Sequence, residues 1–434
     1  MRNRILMAAI ASTLLPITAF ATDGYFSHGY GMKSKGMAGA GVTRTDDTFG
    51  GANNPAQMVF VGDRLDAGID WFIPDRNAER TGASIPPLNG KVESGSKNFF
   101  IPEFGYNRMI SSDMSIGVTV YGNGGMNTDY PQGNYQCPNR SFQFGPANAL
   151  CGSGKLGVDL SQLLIAPTWS WKFADGHSIG VSPLLAYQRF KIEGVQAFTP
   201  FSSSPTNLTN NGYSSSTGYG VRIGYLGKMS DAFRIGASYG SRVKMGKFDK
   251  YKGLFAEAGG FDMPASYTLG IGLQATPDLA FALDYKRILY GSVKAIANRS
   301  SNQSPLGTSD GPGFGWQNVS VVKLGVEYAV DKSMMLRAGF GRSDNPIQSR
   351  DVTFNILAPG VVQEHYTLGL TYSPTKGSEW NFAYMHAPRK SVSGPSLFNA
   401  LFPVPNAGGT ETISMVQNSF GVAWGTKLDR RAHV

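Results

Sequence analysis

The stretch PASYTLGIGLQATPDLAFALDYKRILY, residues 264–290, decides the fold of this 434-residue chain. In its first part, bulky apolar residues alternate with small or polar ones, and the same alternation resumes after Thr276 and Pro277. Side chains of a β-strand point to opposite faces in turn, so each part predicts a strand with one apolar face. The short connection between them predicts an antiparallel hairpin.

Similar alternating runs recur along most of the chain. The predicted strands are Arg64–Pro74, Asn98–Ile110, Asp113–Tyr121, Gly157–Phe173, His177–Lys191, Thr217–Lys228, Ala232–Met245, Pro264–Ala275, Asp278–Tyr290, Trp316–Val330, Ser333–Arg342, Val361–Tyr372, Glu379–His386 and Thr412–Gly425. Short turns and long loops alternate between them, which is typical of outer-membrane barrels and has no reason to occur in a soluble sandwich. The predicted fold class is all-β, a 14-stranded antiparallel transmembrane β-barrel in a bacterial outer membrane.

Tryptophan and tyrosine residues lie near many predicted strand ends, where a half-apolar ring suits the bilayer interface. The set is Trp71, Trp169, Trp171, Tyr285, Trp316, Tyr328, Tyr372, Trp380, Tyr384 and Trp424. For any single member, an ordinary core position is an equally good explanation. The set as a whole supports the barrel.

The N-terminus resembles a secretory signal, with Arg2 and Arg4 ahead of the apolar run Ile5–Leu15 and a small-x-small site at residues 19–21. A buried N-terminal helix is the alternative. The predicted divisions are a cleaved signal peptide at 1–21, a plug or hatch at 22–62, the barrel at 63–425 and a short tail at 426–434.

The charge balance argues against a nucleic-acid partner. Without the signal, 39 − 2 = 37 basic and 30 acidic residues remain, giving 37 − 30 = +7. The basic residues are scattered, with no basic run. After the signal there is also no apolar run of about 18 residues, so no transmembrane helix is expected.

Residues 22–62 are rich in glycine and alanine and do not resemble a strand. A fourteen-strand barrel is too wide for its own side chains to fill, and a segment just before the first strand is well placed to occupy the lumen. We therefore predict that this segment is a plug inside the barrel. A disordered periplasmic tail is the alternative.

The segment SKGMAGAGVTRTDDTFGGANNPAQM, residues 34–58, resembles the hatch of the FadL-type outer-membrane transporters of long-chain fatty acids and other hydrophobic compounds. The resemblance continues through residues 117–122, 264–270 and 336–346, so it covers nearly the whole chain after the signal. The residues that match the hatch motif are Asp46, Asp47, Asn54, Pro55 and Ala56. The tail at 426–434 departs from the family, whose barrels usually end on an aromatic residue.

The resemblance implies capture of a hydrophobic ligand among the long loops, a pocket in the lumen, movement of the hatch and sideways release at a kinked third strand. The ligand is expected to be a fatty acid, an alkane or an alkyl-aromatic compound, and these alternatives stay open. The residues matching that kink are Gly122, Asn123, Gly124 and Gly125, although a plain strand-to-loop turn explains them equally well. The expected surroundings are outer-membrane lipid and lipopolysaccharide, and the expected state is a monomer.

Two groups of side chains are candidates for ligand binding. The loop residues Phe198, Phe201, Phe398 and Phe402 could line a collecting groove, or could pack the loops against each other. The inward-facing Lys323 and Arg337 could hold a carboxylate headgroup, although most lumen charges are expected to be paired.

The remaining chemistry of the sequence is sparse. Cys137 and Cys151 are 14 residues apart in an exported chain, which predicts a loop disulfide. No metal site, cofactor or catalytic constellation is readable around the five histidines, so an enzyme is not expected. An outer-membrane receptor or adhesin without specific transport is the alternative function.

Overall fold

The computed structural model describes residues 23–138 and 143–428. The predicted signal peptide and residues 429–434 of the tail lie outside the described residues. Alternating apolar runs form a closed antiparallel barrel of fourteen strands, as predicted, with β14 pairing with β1 to complete the ring. The strands are β1 (Arg64–Thr81), β2 (Phe99–Met109), β3 (Met114–Tyr130), β4 (Leu156–Ala174), β5 (His177–Glu193), β6 (Ser214–Lys228), β7 (Phe233–Gly240), β8 (Ser266–Thr276), β9 (Leu279–Ile288), β10 (Val319–Ala329), β11 (Met334–Ser343), β12 (Glu364–Thr375), β13 (Ser378–Pro395) and β14 (Thr410–Lys427).

The two faces of each strand differ in the way the sequence predicts. On β8, Leu269 and Ile271 point outward and are exposed, as lipid-facing side chains of a barrel are. Between them, Gly270 points inward, where an added Cβ would meet Val42 and the Asp284 carboxylate. Small inward residues therefore make room for a segment inside the lumen.

Several strands run past their predicted ends on the long-loop side. β1 continues from Pro74 to Thr81, and β13 continues from His386 to Pro395. Backbone pairing between β1 and β14 persists over this extension, where polar residues such as Arg76 and Asn77 replace the apolar alternation. Apolar alternation marks only the lipid-facing part of a strand. It therefore underestimates the length of strands that extend beyond the bilayer.

Trp316 is a further correction. It was predicted to begin the tenth strand and to belong to the interfacial aromatic set, but β10 begins at Val319. Trp316 is only 2% exposed and packs inside the barrel against Tyr25 and Tyr290. An aromatic residue beside a strand end suits either location, and only the tertiary packing decides between them.

The helical segments are all short. The α-helical ones are Met32–Lys35, Met58–Val61, Ala256–Gly259, Lys294–Ala297, Val352–Asn355 and Phe398–Leu401, and the 3-10 turns are Phe49–Gly51, Pro55–Gln57, Pro86–Leu88, Gln196–Phe201, Pro205–Asn207, Asp249–Tyr251, Tyr290–Ser292 and Ser349–Asp351. Within the two described ranges, no helix is long and apolar enough to cross a membrane.

The long loops carry additional short strands. Gly90–Glu93 pairs with β1, Lys244–Met245 pairs with β6, and Tyr135–Pro138 pairs with Phe144–Ala147. A disulfide joins Cys137 to Cys151, with 5.5 Å between their Cα atoms. The disulfide therefore closes the long loop between β3 and β4.

Residues 23–62, here called the hatch, lie inside the barrel with most of their side chains buried. The hatch contacts well-separated parts of the wall. Lys35 is 2.9 Å from Asp70 on β1, while the backbone N–H of Gly41 donates to Asp284 on β9. These contacts place the hatch across the lumen, between the long loops and the short turns.

Candidate ligand path through the barrel

The long loops enclose an apolar cavity of about 50 Å³. Its lining has no charged side chain and includes Phe190, Phe198, Phe255 and Phe354. For comparison, an apolar cavity of about 150 Å³ in a protein core binds benzene. The loops must therefore part slightly before a ring-sized ligand can enter this loop pocket.

Of the four predicted groove residues, the structure brings only Phe198 into the loop pocket. Phe201 is half-exposed on the outer surface. Phe398 and Phe402 pack against each other, and the Arg80 guanidinium lies 4.5 Å from the centre of the Phe398 ring. These last two rings join loops together, which was the alternative reading of the pattern.

A chain of aromatic rings leads from the loop pocket to the hatch. Phe255 in the pocket is 4.9 Å from Phe261, measured between ring centres, and Phe261 is 6.2 Å from Tyr25 at the start of the hatch. Tyr25 is in turn 5.2 Å from Tyr290. The rings form a continuous buried apolar connection between the loops and the lumen.

The geometry of a capped turn explains the Asn54-Pro55-Ala56 part of the hatch motif. The Asn54 carboxamide oxygen accepts from the Ala56 N–H at 3.1 Å, and Pro55 starts the 3-10 turn. Asparagine and proline are preferred at these two positions because one satisfies a free N–H and the other lacks one. The Asn54 amide also donates to the Tyr225 carbonyl on β6 at 2.9 Å, fixing the turn to the wall.

This turn requires glycine on the wall facing it. A Cβ added at Gly224 on β6 would lie 1.9 Å from the Asn54 side-chain oxygen, and one at Gly180 on β5 would lie 2.4 Å from the Pro55 carbonyl carbon. The hatch and wall backbones thus approach each other more closely than any residue with a Cβ atom would allow at these two positions.

The acidic pair of the motif divides into two roles. Asp46 lies 3.2 Å from Lys33 and also contacts Arg44. Asp47 instead accepts a bond from the Phe49 N–H and has no cation within salt-bridge distance among the described residues. Burial, with Asp46 and Asp66 close by, raises the pKa of Asp47 to about 7.

The third strand does not end at Tyr121, and that predicted boundary was wrong. β3 continues to Tyr130, with Gly122, Asn123, Gly124 and Gly125 inside it. Against β4, Gly122 faces Leu163 and Gly124 faces Gln162, so Asn123 is one extra residue. A β-bulge with one unpaired residue bends its strand, and this is the physical reason that residues typical of turns occur here within a strand.

The bulge coincides with a break in the wall. Pairing between β2 and β3 stops at Phe104 and Val120, and beyond this point β4 is the only described strand of the wall that pairs with β3. The unpaired edge of β3 is covered from inside by the hatch tip, residues 23–27. Ser27 N–H donates to the Asn123 carbonyl, and Gly125 N–H donates to the Tyr25 carbonyl, each at 3.1 Å.

The two predicted headgroup cations are occupied by carboxylates in this structure. Lys323 lies 3.2 Å from Asp23 in the hatch tip and also donates to the His28 carbonyl. Arg337 lies 2.9 Å from Glu327 on the neighbouring strand. Lys323 therefore joins the hatch to the wall, and Arg337 joins two neighbouring strands of the wall.

The profile of the family described as "Outer membrane protein transport protein (OMPP1/FadL/TodX)" matches residues 9–396. The chain belongs to this family. It is an outer-membrane transport protein of the FadL/TodX type, and the predicted location in the outer membrane of a bacterial cell is confirmed. The family is one of transport proteins, and the expectation that the chain is not an enzyme stays a prediction.

Solved structures of FadL/TodX-type proteins share the fold. The Pseudomonas putida toluene transporter TodX is 19% identical, with 93% of this chain and 100% of TodX covered and a TM-score of 0.68. A Pseudomonas aeruginosa FadL homologue is 15% identical, with coverages of 94% and 100% and a TM-score of 0.67. CymD, a monoaromatic hydrocarbon channel, is 16% identical, with coverages of 95% and 100% and a TM-score of 0.58. A search of curated proteins finds no match.

Sequence reasoning missed two charged residues of this FadL/TodX-type lumen. Asp23 is fully buried between Lys286 and Lys323, although its position beside the signal site gives no hint of this. Arg76 is buried as well, and the inward parity of β1 points to it once the strand is extended beyond Pro74. Among the residues described, no cluster of three or more histidine, cysteine or acidic side chains is arranged to hold a metal ion.

Proposed function

We propose that the protein takes up small hydrophobic molecules, such as hydrocarbons or long-chain fatty acids, and releases them sideways into the outer membrane. The observation that carries this proposal is the unpaired edge between β2 and β3, which the hatch tip covers from inside. A barrel wall is otherwise a continuous ladder, so a break beside the lumen is a route through it.

The proposed route begins at the loop pocket and follows the aromatic rings to Tyr25. There the hatch tip moves away from β3 and exposes the unpaired edge to the ligand. The tip is held by a few backbone bonds to β3, by the Tyr290 hydroxyl and by the pairing of Asp23 with Lys286 and Lys323. A movement confined to residues 23–27 separates these contacts and leaves the rest of the hatch in place. The pocket, the hatch and the wall break all belong to one chain, so a monomer suffices.

Burial of apolar surface drives the proposed transfer. Each CH₂ removed from water contributes about 0.8 kcal/mol, so a ligand that stays in apolar surroundings from the loop pocket to the bilayer never has to be rehydrated. The polar lipopolysaccharide leaflet is the barrier that such a route avoids.

The apolar lining of the loop pocket supports a cargo with an apolar body. Two structurally similar proteins agree with such a cargo, since TodX is a toluene transporter and CymD a monoaromatic hydrocarbon channel. Lys323 and Arg337 give less support to an acidic headgroup, because each already has a carboxylate partner.

Deleting Asn123 tests the route. Asn123 and Gly124 both point inward at the bulge, so removing Asn123 keeps the alternation on either side and restores regular pairing. Uptake of labelled toluene and labelled oleate would be measured in cells lacking their own transporter. We expect the deletion to abolish uptake of the cargo, whereas the control Asn123→Gly, which keeps the bulge and loses only the side chain, should retain it.

Two other outcomes would count against the proposal. Full uptake by an inserted, folded deletion variant would overturn the sideways route. Uptake of neither compound by the folded wild-type protein would overturn transport of these compounds and favour a receptor or adhesin.

A further inference from the structure

Arg76 on β1 has its side chain at the wall break. It is 2% exposed, and its guanidinium donates to two backbone carbonyls, those of Asn127 on β3 and Ser96 just before β2. The guanidinium also lies 5.6 Å from the centre of the Phe99 ring on β2. One side chain thus spans the strands on both sides of the break.

Arg76 differs from the other buried cations of the described chain. Apart from Arg222, every other buried lysine or arginine there has a carboxylate within salt-bridge distance. Arg76 has none, and its Nε atom has no hydrogen-bond partner. Removing an unpaired cation from water is strongly unfavourable, so the burial of Arg76 needs an explanation other than an ion pair.

The position of Arg76 along the break suggests that explanation. Asn127 lies beyond Val120, the last β3 residue that pairs with β2. Further along, the Gly95 N–H donates to the Asp129 carbonyl at 2.8 Å, so the segment before β2 reattaches to β3. Arg76 fastens the same two segments from the lumen side, beside a cavity of about 30 Å³ that Tyr25 and Met126 also line.

We propose that Arg76 is the gate residue of the sideways route, holding the free edge of β3 closed and selecting which ligands pass. This inference rests on the proposed function. A ligand that passes between β2 and β3 separates the Asn127 and Ser96 carbonyls from the guanidinium. A carboxylate at the end of an apolar ligand accepts hydrogen bonds from the guanidinium in place of the two carbonyls. A hydrocarbon has no acceptor, so the guanidinium loses those bonds without replacement.

Dodecane and dodecanoate test this inference, because they have the same chain length and differ only in the carboxylate. Initial uptake rates of both labelled compounds would be compared in cells that carry Arg76→Met, Arg76→Lys or wild-type protein. We expect Arg76→Met to speed dodecane and slow dodecanoate, lowering the dodecanoate-to-dodecane ratio about tenfold. Arg76→Lys should give an intermediate ratio, since one ammonium keeps the charge but cannot bridge two carbonyls in the same way.

Arg222→Met is the matched control. Arg222 is also buried without a carboxylate partner among the described residues and donates to a backbone carbonyl, that of Gly51, but it lies on β6. Its substitution should leave the ratio unchanged. Arg76→Lys keeps the test usable if Arg76→Met does not fold.

The outcomes separate the inference from the proposed function. Three outcomes would overturn the role of Arg76. The Arg76 variants could change the uptake rates of both compounds equally, or Arg222→Met could shift the dodecanoate-to-dodecane ratio as much as Arg76→Met does. The third outcome is that wild-type protein takes up dodecane alone. Wild-type uptake of neither compound, or full uptake after deletion of Asn123, would instead overturn the proposed function.

Discussion

Two parts of the hatch, its middle and its tip, are bound to the barrel in different ways. Its middle part, called here the anchored part (residues 32–47), carries Lys33 and Lys35, which lie 2.6 Å from Glu379 and 2.9 Å from Asp70 on the wall. The hatch tip is held by backbone hydrogen bonds to β3, by the Tyr290 hydroxyl, which accepts from the Tyr25 N–H at 3.1 Å, and by ion pairs of a single residue, Asp23.

This difference indicates which part of the hatch can move. Breaking a buried ion pair by removing one partner costs about 3–5 kcal/mol, whereas a single hydrogen bond contributes about 0.5–1.5 kcal/mol net. Asp23 in the tip does pair with Lys286 and Lys323, so release of the tip also has to separate those two pairs. Movement confined to the tip still breaks far fewer buried charge contacts than movement of the whole hatch.

The largest expected effect is on the anchored part. Lys35→Met leaves Asp70 and Glu103, both buried, without their shared cation. We expect a loss of about 3–5 kcal/mol in the free energy of unfolding, measured by chemical denaturation in detergent. The control Lys97→Met breaks an exposed pair with Glu93 and should cost about 1 kcal/mol or less. Equal losses in the two variants would contradict the distinction between anchor and tip.

A smaller, local effect is expected at the tip. Tyr290→Phe removes the hydroxyl that accepts from the Tyr25 and Phe26 N–H groups and donates to the Asp23 carbonyl. We expect the tip to open more readily by about 1–3 kcal/mol, with little change in global unfolding. Hydrogen exchange at residues 23–27, followed by mass spectrometry, measures this opening.

The matched control for the tip is Tyr285→Phe, whose hydroxyl bonds Ser320 on the outside of the barrel. Exchange at residues 23–27 should be unchanged in that variant. If Tyr290→Phe exposes the anchored part to the same degree as the tip, the hatch moves as one body and the comparison fails.

The smallest expected effect concerns Asp47 in the anchored part. Burial and the neighbouring acids raise its pKa from 3.8 to about 7, so the folded state keeps a proton that the unfolded state has lost. Stability from this group therefore falls as the pH rises from about 4 to 7. We expect the melting temperature of the wild type to decrease between pH 5 and pH 8 more than that of Asp47→Asn. Parallel pH profiles would show that Asp47 does not titrate in this range.

The barrel could be predicted from the sequence because the alternation of apolar and small residues is a local property of each strand. Leu269 and Ile271 alternate with Gly270 wherever the wall separates lipid from lumen, and the alternation is visible without any partner strand. The number of strands and the pattern of turns followed from the same signal. The hatch motif was located by its resemblance to a family, and Asn54 and Pro55 then had a local explanation as a capped turn.

The path through the barrel could not be predicted in the same way, because it depends on distant contacts. Gly122 and Asn123 have the composition of a turn, and only the pairing with β4 shows a bulge within a longer strand. Trp316 and Phe398 are aromatic in a loop, and their different surroundings depend on residues far away in the chain. Arg76 lies beyond the apolar alternation, so nothing marked it as buried before the strand was seen to continue.

The pairing of β1 with β14 has a consequence for how the protein is made. These strands are first and last in the barrel, and they match residue for residue from Arg64 opposite Lys427 to Thr81 opposite Thr410. The hatch segment is synthesised before β1, whereas the seam between β1 and β14 can close only after the last strand has been synthesised. The hatch segment is therefore already synthesised when β1 and β14 come together, and contacts so distant along the chain favour slow closure of this seam.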